Sequence, residues 1–99
     1  MSVWNYLKIM KSILQTTKKC WVCGSPYVEE HHVIYGTAKR KLSEKFGLKI
    51  YLCHEHHTGN KGVHFNKALD TQLKMFAQKK FEEKYSHEKF MEVFKKNYL

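Results

Sequence analysis

The side chains best able to do chemistry crowd into the middle of the chain. All three cysteines and six of the seven histidines fall between Cys20 and His64, arranged as Cys20-x2-Cys23, His31-His32, Cys53-x2-His56-His57 and His64. Structural zinc takes four thiolate or imidazole ligands in a tetrahedron, and an x2 spacing lets two ligands from one tight turn reach one ion. Cys20, Cys23, Cys53 and His56 therefore form a candidate closed Cys3His zinc site that ties an early knuckle to a later turn. The competing reading, cysteines buried as small hydrophobes, leaves the paired spacings unexplained. A C-x2-C redox pair is disfavoured because no βαβ pattern surrounds Cys20 and Cys23.

A structural ion uses up only one of the histidines, which leaves His31, His32, His57 and His64 for other work. Imidazoles of His31, His57 and His64 can hold a catalytic divalent ion with open positions for water and a phosphate oxygen, and His32 can act as general base. On a regular strand His31 and His32 point to opposite faces; a bulge or turn would aim both into one cleft. Mg²⁺ or Mn²⁺ suits phosphodiester chemistry, and an imidazole-rich site also accepts Ni²⁺ or Zn²⁺. A protonated base takes no proton, so activity would fall below a histidine pKa of about 6.5. His54 and His87 are expected at the surface.

The elements that must position these groups follow from apolar spacing. Val3 to Leu14 shows helical periodicity, and residues 1–17 read as an N-terminal helix. Gly24 permits the tight turn of the knuckle, and Ser25-Pro26 continues it. Tyr27 to Tyr35 reads as one or two short strands, Thr37 to Lys45 as a solvated loop or short helical turn, and Lys49 to Leu52 as a strand before Cys53. After the breaker Thr58-Gly59-Asn60-Lys61-Gly62, a helical pattern runs from Val63 through Phe81. A last amphipathic helix carries Phe90, Met91, Val93 and Phe94.

The chain has 99 residues, 18 Lys+Arg against 9 Asp+Glu, and 42% hydrophobic residues. This length excludes a two-domain enzyme with an interdomain cleft, and the apolar content excludes a disordered basic tail. No apolar run approaches the roughly 20 residues of a membrane span, and no secretory segment is visible. Three cysteines with a C-x2-C pair fit a reducing, intracellular setting. The formal charge of +9 points to a polyanion, with Lys39, Arg40, Lys41, Lys45, Lys49 and Lys61 as candidate phosphate contacts.

The order C-x2-C-G, then Glu30-His31-His32-Val33-Ile34-Tyr35-Gly36, then Leu52-Cys53-His54-Glu55-His56-His57 and His64 resembles the HNH, or ββα-metal, nucleases. Within them it is most similar to the phage and prophage RecA-dependent, recombination-enhancement-type branch, over about Lys19 to Asn66. The resemblance implies an α+β fold in one domain, 1–99: a zinc-stapled ββα-metal core at 19–67, between the N-terminal helix and C-terminal helices at 68–99. It implies His32 as the base, His31 and His57 as catalytic-metal ligands with His64 as a third, and metal-dependent hydrolysis of DNA. The setting implied is phage DNA processing or recombination in a bacterial or phage-infected cytoplasm, on free or recombinase-coated DNA, as monomer or homodimer. One departure stands out: no asparagine lies between His32 and His57, so the family's base-orienting Asn has no counterpart. The alternative is a non-catalytic zinc module that binds DNA or protein.

Overall fold

The sheet consists of two strands of four residues each. In the computed structural model, which describes residues 11–99, β1 (Glu29–His32) pairs antiparallel with β2 (Lys49–Leu52). Glu29 stands opposite Leu52 and His32 opposite Lys49. The connection between them is an eight-residue helix, α1 (Lys39–Phe46), longer than the solvated loop or short helical turn expected. Its inward side explains the difference. Ser43 and Phe46 are buried, and the Ser43 hydroxyl donates to the Ile34 carbonyl while accepting the Ile34 N–H at 3.2 Å. A buried polar side chain satisfied in this way fixes the helix against the exit of β1.

Beyond β2 a single helical turn, α2 (His54–His57), leads through a 3-10 turn (Val63–Phe65) to α3 (Lys67–Lys84) and α4 (His87–Phe94). The helical pattern expected from Val63 is interrupted at Asn66. That residue is extended, and its side chain accepts the Leu69 N–H at 3.0 Å, so it starts a new helix rather than continuing the turn. Ser86 caps α4 in the same manner through the Lys89 N–H.

The two long-range halves meet over aromatic rings. Phe46 of α1 packs edge-on to Phe81 of α3 with centroids 5.2 Å apart, and Phe81 meets Phe90 and Phe94 of α4 at 5.3 and 5.9 Å. Val33, Ile34, Leu48, Ile50 and Leu52 continue this core under the hairpin. Edge-to-face rings add directional attraction to the burial term. Gln78 is fully buried on α3, and its amide binds Asn97 at 2.7 Å and the Tyr98 N–H at 2.7 Å, fastening the tail. Among the described residues, no helix is long and apolar enough to cross a membrane.

The expected N-terminal helix is corrected where it is described; residues 1–10 lie outside the described residues. Residues 11–17 are irregular. They run along the open edge of β2, with the Ile13 N–H donating to the Gly47 carbonyl at 2.9 Å and the Gln15 side chain accepting the Tyr51 N–H at 2.8 Å. Ser12 donates to the Lys49 carbonyl. Edge groups of a sheet need partners, and here they draw Ser12 and Gln15 away from helical bonding.

Gly47 makes this close approach possible. It ends α1 at φ 72°, and a Cβ there would lie 2.5 Å from the Lys11 carbonyl oxygen. Gly47→Ala is expected to destabilise the protein by about 2 kcal/mol or more, combining left-handed strain with the clash. A urea titration should show a lowered midpoint with an unchanged slope; an unchanged midpoint would contradict the edge packing.

Candidate metal centres

The knuckle folds because the Gly24 N–H reaches back to the Cys20 carbonyl at 2.9 Å and the Cys20 N–H donates to the Ser25 carbonyl at 2.8 Å. It is tied to the sheet by the Trp21 N–H, which donates to the Tyr51 carbonyl at 2.8 Å. Cys53 is the last residue before α2, and His56 follows one turn later, so both ligands emerge on one side. The ligand atoms of Cys20, Cys23, Cys53 and His56 all lie within 4.8 Å of one another. Individual edges are 3.8 Å for Cys23 Sγ to Cys53 Sγ, 3.7 Å for Cys20 Sγ to His56 Nδ1 and 3.2 Å for Cys53 Sγ to His56 Nδ1. Zinc–thiolate bonds of about 2.3 Å give a tetrahedron with edges near 3.7 Å, so the donor set fits zinc in both type and spacing. The cysteines are not disulfide-bonded. Burial would push the Cys20 thiol up, but backbone N–H groups of Cys53, Cys23 and Val22 outweigh it and bring its pKa down to about 6.

A second cluster lies on the other side of α2. His31 comes from β1, His57 from the end of α2 and His64 from the 3-10 turn, with ring centroids 5.0, 5.4 and 5.2 Å apart in a near-equilateral triangle. One ligand atom of each lies within 4.8 Å of the others. His31 is 2% exposed, and its Nε2 is buried with no hydrogen-bond partner among the described residues. Leaving a buried nitrogen unmatched costs about 1–3 kcal/mol, a debt that a metal ion at this atom removes. Burial, then the neighbouring His57 and His64, push the His31 pKa down to about 3. Burial also lowers His64. Both rings are therefore neutral at pH 7, the form that ligates. Glu29 completes the arrangement: its carboxylate lies 2.8 Å from His57 Nδ1, which places that ring proton on Nδ1 and leaves Nε2 as the ligand atom. The same bond holds the Glu29 carboxyl below its usual range.

His31 and His32 both line one cavity of about 370 Å³, together with His57, His64, Tyr35 and Arg40. The strand ends at His32, so strict alternation does not separate the two rings. His32 Nε2 lies 3.3 Å from Glu44 Oε1 on α1 and 4.0 Å from Glu30 Oε1. Glu44 also pairs with Lys49, and this pair with His32 keeps its carboxyl ionised against the effect of burial.

This network corrects one expected phosphate contact. Lys49 is 7% exposed, and its ammonium is engaged by Glu44 and Glu30, because a buried lysine must be neutralised by carboxylates. Those carboxylates with His32 form a third group of ligand type, but Lys49 already supplies its positive charge. Glu44, Glu30 and Glu29 were not foreseen. The one signal available was a lysine inside the apolar strand run Lys49 to Leu52, which demands a buried acid.

The remaining basic candidates are dispersed. Arg40 reaches the histidine cavity, Lys39 is half-buried, Lys41 and Lys45 are exposed on α1, and Lys61 lies on the loop after α2 beside a different cleft. His54 is exposed and pairs with Glu29, and His87 pairs with Glu82 at the surface. The chain matches no protein-family model, no curated protein and no solved structure.

Two ions per chain are expected from zinc- or manganese-loaded protein. His31→Ala should remove only the second, leaving one tightly held zinc in elemental analysis and an intact far-UV spectrum; loss of both would show that the clusters are not independent. The folded-state pKa of Cys20 lies below the unfolded thiol value, so its stabilisation is full above about pH 9. It shrinks as the pH falls and is gone below about 6. Thiolate absorbance of the metal-free protein should therefore rise near pH 6, whereas a rise confined to the ordinary thiol range of about 8.5 would contradict this thiolate assignment.

Proposed function

We propose that the chain is a metal-dependent endonuclease of the HNH type that hydrolyses DNA phosphodiester bonds in phage or prophage DNA processing. The observation that carries this reading is the convergence of His31, His57, His64, His32 and Arg40 on one cavity separate from the Cys3His cluster. A module that used zinc only to hold its shape would need no second imidazole set with a buried, unmatched nitrogen.

His31, His57 and His64 would hold the divalent ion, and their all-imidazole character favours Mn²⁺, Ni²⁺ or Zn²⁺ over Mg²⁺. The ion, when bound, supplies Lewis-acid charge at the scissile phosphate and its leaving oxygen. The protein supplies the rest. With its Nε2 proton directed at Glu44, His32 has Nδ1 as its basic nitrogen and takes the proton of the attacking water there. Lys49 holds Glu44 ionised, and the two fill the orienting role for which no asparagine is present. Arg40 offers a planar, permanently charged donor for phosphate oxygens on the cavity wall.

Nicking of supercoiled plasmid tests this. His32→Ala is expected to lower the rate by roughly 10²-fold or more while retaining both metals, and Glu44→Ala should lower the rate constant with little change in half-saturation by DNA. A wild-type chain that nicks neither free nor recombinase-coated DNA with Mn²⁺, Mg²⁺, Ni²⁺ or Zn²⁺ would retire the enzymatic reading in favour of a zinc-bound interaction module.

A further inference from the structure

Two pairs of sequence neighbours split their side chains between two clefts. His57 and His64 line the histidine cavity, while their neighbours His56 and Phe65 line a second, broader cleft of about 630 Å³ between the zinc knuckle and the first turn of α3. Phe65 is 71% exposed, and the half-exposed Val22 lines the same cleft. A lone exposed aromatic is ordinary, but this one sits on a wall whose formal charges are Lys61 and Lys67. Among the described residues, no carboxylate lines that cleft. An apolar ring in a cleft whose formal charges are both cationic matches a ligand that joins a flat aromatic face to anionic groups. Asn60 and Gln72 add amides able to reach the edges of such a ring.

We propose that this cleft is a nucleotide-binding subsite in which Phe65 stacks an unpaired base of a single-stranded nucleic acid while Lys61 and Lys67 hold the adjoining phosphates. The assignment rests on the nuclease reading for its choice of a nucleic acid, and adds the state of the strand. In a duplex both faces of a base are covered by its neighbours and its edge is paired, so a side-chain platform of this kind is usable only by a strand that has been opened. His64 and Phe65 are adjacent in the 3-10 turn and line the two different clefts, so a strand seated on Phe65 would lie one residue along the backbone from the histidine cavity. Selection for single strands is then built into the entrance to the site rather than into base-specific contacts.

Fluorescence anisotropy on zinc-loaded protein carrying His32→Ala, the substitution expected to stop nicking while retaining both metals, reads binding without cleavage. The probes are a labelled oligothymidylate and a labelled hairpin duplex. The oligothymidylate is expected to bind more tightly than the duplex. Phe65→Ala should weaken the oligothymidylate by about tenfold and leave the duplex unchanged, and Phe65→Tyr should restore binding. Lys61→Gln with Lys67→Gln should reduce the salt slope for the single strand by roughly 1.4, about 0.7 for each phosphate that is no longer neutralised. Equal effects of Phe65→Ala on both probes, or none on either, would overturn the subsite. So would a dimer in sedimentation that Phe65→Ala dissolves, since the cleft would then be a self-association face. A chain that selects single strands through Phe65 yet never nicks them upholds the subsite and overturns only the catalytic reading.

Discussion

Everything at the candidate site hangs on the four-donor cluster that brings Cys20 and Cys23 to Cys53 and His56. The helix between the last two, α2, is a single turn of four residues with none of them buried. Such a turn has no stability of its own, since helix nucleation is unfavourable and tertiary packing must supply the difference. Structural zinc contributes on the order of 10 kcal/mol in small zinc-dependent peptides, comparable with the entire stability of an ordinary domain. The same turn presents His57 to the second cluster. Holding the thiolate-rich site therefore fixes the direction of a ligand it does not itself use.

Charge is arranged on two scales. At long range the +9 excess makes a field that attracts any polyanion, without selecting where it binds. At short range the site is locally balanced: Lys49 against Glu44 and Glu30, Lys74 against Asp70 at 2.8 Å. Lys74 also lies 4.5 Å over the Tyr35 ring, which itself packs on His31 and His64. Cations near the imidazoles are thus occupied by carboxylates or rings, and burial disfavours protonation of His31. Arg40 is left as the fixed positive group on the cavity wall. One permanent cation beside three imidazoles is what the proposed nuclease reading asks of a site that takes both a metal ion and a phosphate.

How far the residues announced this arrangement depended on the range of the interaction. Ligand groups at x2 spacing were legible because geometry one turn long is written in adjacent positions, and Lys49 to Leu52 was legible as a strand for the same reason. Cys53 and His56 could be paired with Cys20 and Cys23 by chemistry alone. Glu44 could not be assigned to His32, because nothing local to α1 says which strand it faces. Nor could the path of residues 11–17 be foreseen: Ile13 and Leu14 carry helical spacing, but the open edge of β2 offers Ser12 and Gln15 better partners. Lys49 failed as a phosphate contact through the same blindness, since its charge was visible and its burial was not.

The corrected position of Lys49 also bears on how the proposed nuclease site would do without the asparagine of the family it resembles. A neutral amide orients a base through one hydrogen bond and adds no charge. Glu44 gives His32 Nε2 a directional partner at 3.3 Å but brings a negative charge with it. Lys49 balances that charge from the other oxygen of the same carboxylate. In that reading the acid–lysine pair can stand in for an amide only as a pair, because a lone carboxylate there would leave its partly buried charge uncompensated.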